Sequence, residues 1–339
     1  MLRAHLRRKH RLKTFLPQKS WLWIVGSWGL TFGCSIGTED LVPATVNDDQ
    51  RLPELTLEIA GHSRSLHLET FGDRDNPVLL VFHGGGGSDY KAMLPLAELS
   101  DRYLVVMWDA RGSGLSERVS HDEISFQSYA DEIHAIKQHF SPDAPVSFVG
   151  YSFGGPHGAI WLSHYPEDID QLVLIESGGL DSETWEIGAI PVPLGADWVH
   201  QFLWQNEFVT PGDHELLDYK LLSAAMPALE MMSCDPDHPS HYPMWRLGAQ
   251  VYFDAHELLS DFDLRDEISS LSLDALLIAT ECGPSNADFQ RKYIAPLFAQ
   301  AEVIEIGEGA DHLNLFDHAT TQVLDALRGY LREYQGDAP

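Results

Sequence analysis

Cysteine is scarce in this sequence: Cys34, Cys234 and Cys282 are the three in 339 residues. That is too few for a disulfide framework, and no pair has the spacing of a zinc site. The sequence favours free buried thiols at Cys234 and Cys282. A bridge between them stays open, because it needs close Cα atoms that a sequence does not show. Basic residues are scarce too, once the N-terminus is set aside. Seven Lys and Arg fall within the first 38 residues, which leaves 15 basic residues against 51 acidic ones and a net charge of −36. A body that acidic repels nucleic acid and anionic lipid surfaces, so no nucleic-acid partner is expected. Repeats of fixed period and low-complexity tracts are absent. So is the phosphate-cradling G-x-x-x-x-G-K-[ST] pattern. "CDPDHPSH" (Cys234 to His241) crowds metal-ligating residue types together. It has neither an H-x-x-x-H pair nor paired cysteines, and its two prolines read as a rigid polar loop. No metal and no cofactor is expected.

Hydrophobic residues at 44% and charged residues at 22% are the proportions of a globular protein. Residues 1–38 read as a targeting segment. "LRRKHRLK" is a basic stretch, and "WLWIVGSWGLTFG" is an apolar run of about the length of a signal-peptide core. Cys34 directly after Gly33 fits a lipid-modified cysteine, although Leu30 lies one place too far upstream and Phe32 is bulky. Export or a membrane tether is the first reading. A retained signal anchor, or an N-terminal extension on a cytoplasmic enzyme, stays open.

From about Leu52 strands and helices alternate. "LTLEIA" and "SRSLHLETF" read as two strands joined at Gly61-His62. "PVLLVFH", "YLVVMWD", "PVSFVGY", "QLVLIES", "ALLIAT" and "AEVIEIG" are apolar runs of the kind buried on both faces of a parallel sheet. Amphipathic stretches such as residues 128–140 and 314–334 lie between or after them. This predicts an α/β fold, a mostly parallel sheet flanked by helices. The core is expected over 52–178 and 271–335. The alternation breaks over 179–270, which is rich in Trp, Met and Pro and reads as an inserted helical cap.

Three motifs carry chemistry. Gly150-Tyr151-Ser152-Phe153-Gly154 is a G-x-S-x-G pentapeptide between a strand and a helix. There a sharp turn lifts a serine hydroxyl above the sheet, at a helix N-terminus that favours developing negative charge. A Cβ at either glycine is expected to collide with its neighbours. His83-Gly84-Gly85-Gly86-Gly87 frees backbone N–H groups to face an oxyanion, with Gly85 and Phe153 the expected donors. "GADHLNLF" sets His312 between the last strand and the last helix, where a base belongs. His157, just inside the helix after Ser152, reads as a packing residue.

These elements, with "DARGSGLS" (Asp109 to Ser116), resemble the α/β-hydrolase fold superfamily from Leu52 to Tyr334. "HGG" and "D-x-RG-x-G-x-S" look most like its proline-iminopeptidase-like branch. That branch usually has proline at the place of Gly86 and tryptophan at that of Phe153. The resemblance implies that Asp109 and Arg111 brace the glycine loop without doing chemistry. Epoxide-hydrolase and dehalogenase chemistry is disfavoured, since those relatives have aspartate in the place of Ser152.

The family's triad acid usually sits in the turn after the seventh strand, just before a proline. Here Gly283-Pro284 stands there. Glu281 and Asp288 are nearby alternatives, although Asp288 fits a helix N-cap equally well. Some superfamily members carry the acid after the sixth strand, and Glu176 occupies that place. A carboxylate ending a buried strand needs a partner, so Glu176 is the first choice. The expected enzyme is a serine hydrolase acting through Ser152, His312 and Glu176 on a small-molecule ester. The alternative is an aminopeptidase acting on small peptides, with Glu207, Glu215 or Glu230 holding the substrate amine. A catalytically silent binding protein is the rival from another class, and Gly283 is the feature in its favour.

Overall fold

The structure is a computed structural model that describes residues 41–188, 214–230 (224–230 by backbone alone), 233–234, 240, 242–307 and 309–331. The expected targeting segment 1–38 with Cys34, the aromatic residues Trp198 and Trp204, and Glu207, Met231 and Met232 lie outside these residues. So do the side chains of Met226 and Glu230 and most of "CDPDHPSH".

Eight strands form one sheet: β1 (Glu54–Ile59), β2 (His62–Phe71), β3 (Val78–Phe82), β4 (Leu104–Trp108), β5 (Val146–Tyr151), β6 (Ile169–Ile175), β7 (Asp274–Thr280) and β8 (Gln300–Ile306). Their order is β1-β2-β4-β3-β5-β6-β7-β8. β2 is antiparallel to both of its neighbours, and every pair from β4 to β8 is parallel. The two-residue turn between β1 and β2 is Ala60-Gly61, with φ of 50° and 82°. It falls one residue earlier than Gly61-His62 because a hairpin turn of this hand needs positive φ at both central positions.

The central strands are buried on both faces, as their unbroken apolar runs require. Leu80, Phe82, Val106, Trp108 and Phe148 point into one core layer, beneath α1 (Phe126–Phe140) and α2 (Gly154–His164). Leu79, Val81, Val105, Met107, Val149 and Tyr151 point into the other.

Between β6 and β7 the described residues are mainly helical: α3 (Ser182–Gly188), α4 (His214–Glu230), α5 (Ala249–Leu258) and α6 (Arg265–Ser270). The final helical stretch is α7 (Leu315–His318) followed by α8 (Thr320–Tyr330). It is not one helix, because Ala319 leaves helical geometry with φ −118° and ψ 22°. Among the described residues no helix is long and apolar enough to cross a membrane.

Candidate active site

The parallel strands deliver three side chains to one edge of the sheet. Ser152 follows β5 with φ 53°, a left-handed conformation that a non-glycine residue holds only where its surroundings enforce it. The enforcement comes from close packing on either side. A Cβ on Gly150 would stand 2.5 Å from the Gly154 carbonyl oxygen, and one on Gly154 would stand 2.7 Å from that of Phe82. Both glycines of the pentapeptide are therefore sterically required, as expected.

Glu176, directly after β6, also has a left-handed φ of 48° and is fully buried. Its N–H donates to the Ile278 carbonyl at 2.7 Å, which extends the β6–β7 ladder and fixes its backbone. Its Oε1 accepts the Thr280 N–H and the Thr280 hydroxyl, each at 2.6 Å. Its Oε2 lies 2.7 Å from His312 Nδ1, and His312 Nε2 lies 2.9 Å from Ser152 Oγ. With Oε2 accepting, Nδ1 carries the ring hydrogen, and the Nε2 lone pair faces the serine hydroxyl. This tautomer is what a general base beside a serine needs.

The loop carrying His312 is held from two directions. Tyr151 donates its hydroxyl to the His312 carbonyl, and the two rings stack at 5.1 Å. The neighbouring Asp311 is buried, and its Oδ1 accepts the N–H groups of Leu313 and Asn314 at 2.9 and 3.0 Å. Its Oδ2 accepts the hydroxyls of Ser233 and Ser240 at 3.0 and 2.7 Å and the Cys234 N–H at 3.1 Å.

The other two acid candidates are not brought to the histidine. Glu281 is exposed, and among the described residues its carboxylate makes no hydrogen bond to His312. Asp288 has 92% of its side chain exposed and faces Arg291 at 3.4 Å. It does not cap its helical turn either. Asn286 does so, its side-chain oxygen accepting the Phe289 N–H at 3.0 Å. Asn286 stands at the position just before the turn, from which a side-chain oxygen reaches back to the N–H three residues on, whereas Asp288 already lies inside the turn.

The glycine loop after β3 lies against the serine, where a Cβ on Gly84 would stand 2.9 Å from Ser152 Cβ. Gly85 has φ 67°. Among the described residues the backbone N–H groups of Gly85 and Phe153 have no hydrogen-bond acceptor. His83 supports the loop by donating Nδ1–H to the Gly84 carbonyl at 2.9 Å while Nε2 accepts the Ala110 N–H at 3.1 Å. One donor and one acceptor require a neutral ring, and burial lowers the His83 pKa in that direction.

Asp109 accepts the N–H groups of Tyr90 and Leu115 at 3.0 and 2.8 Å, and Arg111 pairs with buried Glu132 at 3.0 Å. Asp109 thus holds the start of the helical stretch that follows the glycine loop, while the contacts of Arg111 are to Glu132 of α1. Asp89 holds the segment between β6 and β7, accepting the Trp245 and Arg246 N–H groups at 2.6 and 3.0 Å. Burial and the nearby Asp109 push its pKa up to about 7.

His157 is a packing residue, its ring set against Phe82, Tyr129 and Phe153 at 5.2, 4.1 and 4.4 Å. Trp185 of α3 meets the Phe153 ring at 5.6 Å. Trp245, in contrast, packs on His67 and Tyr90, on the Asp89 and Asp109 side of the loop.

Two features had no sequence signal. Cys234 and Cys282 form a disulfide with Cα atoms 6.3 Å apart, so the expectation of two free thiols is corrected. They are 48 residues apart in sequence, and only the folded approach of the segment preceding α5 to the turn after β7 brings them together. Thr280, the last residue of β7, is the main support of the Glu176 carboxylate besides His312. It reads in sequence as one more buried strand residue.

A sheet of this order, with a strained serine after β5 facing a histidine after β8, defines an α/β hydrolase. The chain belongs to the α/β-hydrolase fold family, whose model matches residues 77–319. It is 24% identical over 269 residues to 3-oxoadipate enol-lactonase 2 of Acinetobacter baylyi, covering 77% of this chain and 93% of that protein. It is 27% identical to the proline iminopeptidase of Thermoplasma volcanium over 111 residues, 32% of this chain and 37% of that one. Among solved structures, an esterase from Thermogutta terrifontis matches with a TM-score of 0.61 at 18% identity, covering 82% of this chain and 98% of that one. The enol-lactonase of Burkholderia xenovorans matches with a TM-score of 0.56 at 21% identity, covering 81% and 100%. These likenesses in structure are of the fold. Hydrolase is the class of enzyme that the family and the relatives assign.

Proposed function

We propose that the protein is a cofactor-independent serine hydrolase that cleaves a small carboxylic ester through an acyl-enzyme. What carries this reading is the unbroken line of hydrogen bonds from Ser152 Oγ through His312 to Glu176. As Ser152 Oγ attacks the ester carbonyl, His312 Nε2 takes its proton and Glu176 holds the resulting imidazolium. The N–H groups of Gly85 and Phe153 receive the oxyanion. Collapse of the tetrahedral intermediate expels the alcohol, which leaves with the proton from Nε2. Water then attacks the acyl-enzyme by the same route in reverse.

An ester is the preferred substrate because the relative matched along most of its length is an enol-lactonase, and a lactone is a cyclic ester. The aminopeptidase reading rests on a similarity confined to about a third of either chain. The disulfide also supports export, since such bonds persist in oxidising compartments. The mass and thiol content of protein recovered from a membrane or extracellular fraction test that point.

The primary test compares a short-chain p-nitrophenyl ester with proline p-nitroanilide. Ester turnover without anilide turnover is expected, and the reverse preference would move the assignment to the peptidase. Ser152→Ala should abolish both turnover and labelling by a fluorophosphonate. Glu176→Gln should lower kcat by about 10³ to 10⁴ with the fold intact. A loss under about tenfold would remove Glu176 from the triad. Absent labelling of the unmodified protein would return the silent binding fold to the front.

A further inference from the structure

Hydrogen bonds, one close polar contact and covalent links around His312 form a ring. From His312 Nδ1 the path runs to Glu176 Oε2 at 2.7 Å, and from Glu176 Oε1 to the Thr280 hydroxyl at 2.6 Å. The same hydroxyl lies 2.7 Å from the Cys282 carbonyl. Cys282 is bonded through sulfur to Cys234, and the Cys234 N–H donates to Asp311 Oδ2 at 3.1 Å. Asp311 precedes His312 in the chain. The base and the acid are thus joined directly on one side. On the other they are joined through β7, the disulfide and a cap segment.

We propose that Thr280 is a positioning residue for Glu176, and that the Cys234–Cys282 bridge holds the turn and the histidine loop in the register this requires. The proposal rests on the serine-hydrolase reading above.

A carboxylate has rotational freedom about its last bond, and one contact to an imidazole does not remove it. Two donors from Thr280 on Oε1 fix the plane of the carboxylate, so that Oε2 faces Nδ1. The hydroxyl has one proton and two acceptors within reach. It donates to the carboxylate when that group is charged, because such hydrogen bonds are the stronger. The turn after β7 has an exposed glycine at 283 with φ 101° and no neighbour within 4 Å of where a Cβ would stand. Gly283 is thus free of close neighbours at its Cβ position, and the bridge at the adjacent Cys282 ties this part of the turn to the body. The same bridge ties down Ser233-Cys234, which Asp311 grips beside the histidine. Glu176 and Ser152 both hold left-handed backbone conformations, so the geometry being kept is one the chain would otherwise relax.

The test uses the full chain, with ester kinetics and the rate of Ser152 labelling by a fluorophosphonate read side by side. Labelling does not depend on knowing the natural substrate. Thr280→Val should lower kcat and labelling by about 10- to 100-fold with KM within about threefold, the effect of losing a hydrogen bond to a charged group. Thr280→Ser, which keeps the hydroxyl, should restore both to within about threefold. Dithiothreitol should lower kcat several-fold once two additional thiols titrate, and reoxidation should restore it. Cys234→Ser should match the reduced enzyme and no longer respond to reductant.

A folded Thr280→Val enzyme with kcat within twofold of the parent overturns the role of Thr280, as does an equal loss in Thr280→Ser. Unchanged kinetics with the bridge demonstrably open overturn the role of the disulfide. If Thr280→Val does not fold, Thr280→Ser and the reduction series decide. Glu176→Gln separates the two levels. When it is crippled but the Thr280 variants are not, only this proposal fails. When it is active, the triad reading beneath it fails first.

Discussion

Gly283 stands where an acid is usual in this family, and its backbone says why glycine suits the position. Its φ of 101° is a conformation that L side chains rarely adopt, although the space around it is open. Gly283→Ala therefore isolates backbone strain from crowding. It should destabilise the protein by about 1–2 kcal/mol, read as a fall in Tm of a few degrees in a thermal melt. An unchanged Tm would mean that the turn can relax into ordinary geometry. Ser152 and Glu176 accept the same kind of strain without the help of glycine, each held by a backbone hydrogen bond and close neighbours. Strain of this kind collects where a side chain must be aimed.

At the scale of the element, β6 and β7 act as a pair. Their parallel register sets Ile175 beside Ile278, so Glu176, the first residue past β6, meets Thr280, the last residue of β7 and two places beyond Ile278. An acid on β6 and its support on β7 need no loop of their own. The bridge between Cys234 and Cys282 links this strand end to the segment between β6 and β7 across 48 residues. By chain entropy, closing a loop of that length stabilises by about 4 kcal/mol, so reduction should lower Tm by on the order of 10 °C. A melt with and without dithiothreitol measures it. A fall of a degree or less would mean that the segment is ordered without the bond.

For the whole molecule, buried ionisable groups set the pH range. Burial lowers the pKa of His83, His157 and His256, that of His157 to about 3 from 6.5. The unfolded chain takes up those protons and the folded one does not. The histidines thus contribute stability that is present above about pH 6.5 and lost as pH falls below it. Asp89 works in the opposite sense. Its folded carboxyl is raised from 3.8 to about 7, so its contribution is present at low pH and lost as pH rises through that window. In melts from pH 4 to 7, His157→Phe should flatten the acid-side loss of stability, and Asp89→Asn should steepen it. Identical profiles for the variants and the parent would mean that neither group carries its shift in the folded protein.

The sequence by itself determined the class of fold, and for a physical reason. Strands buried on both faces must be apolar without interruption, and β3, β4, β5, β6 and β7 are legible from that alone. The serine turn was legible because its glycines are required sterically within a few residues of each other. His312 was picked out by its place after the last strand and Glu176 by the cost of burying a carboxylate without a partner, and the structure sets the two side by side. Thr280, the grip of Asp311 on Ser233, Cys234 and Ser240, and the pairing of Cys234 with Cys282 were not legible. Each joins residues far apart in the chain, and no local pattern records which turn will meet which. Only the tertiary structure decided that Glu176, and neither Glu281 nor Asp288, faces His312. Strand register and the left-handed backbone at Glu176 aim that side chain, and both are properties of the assembled sheet.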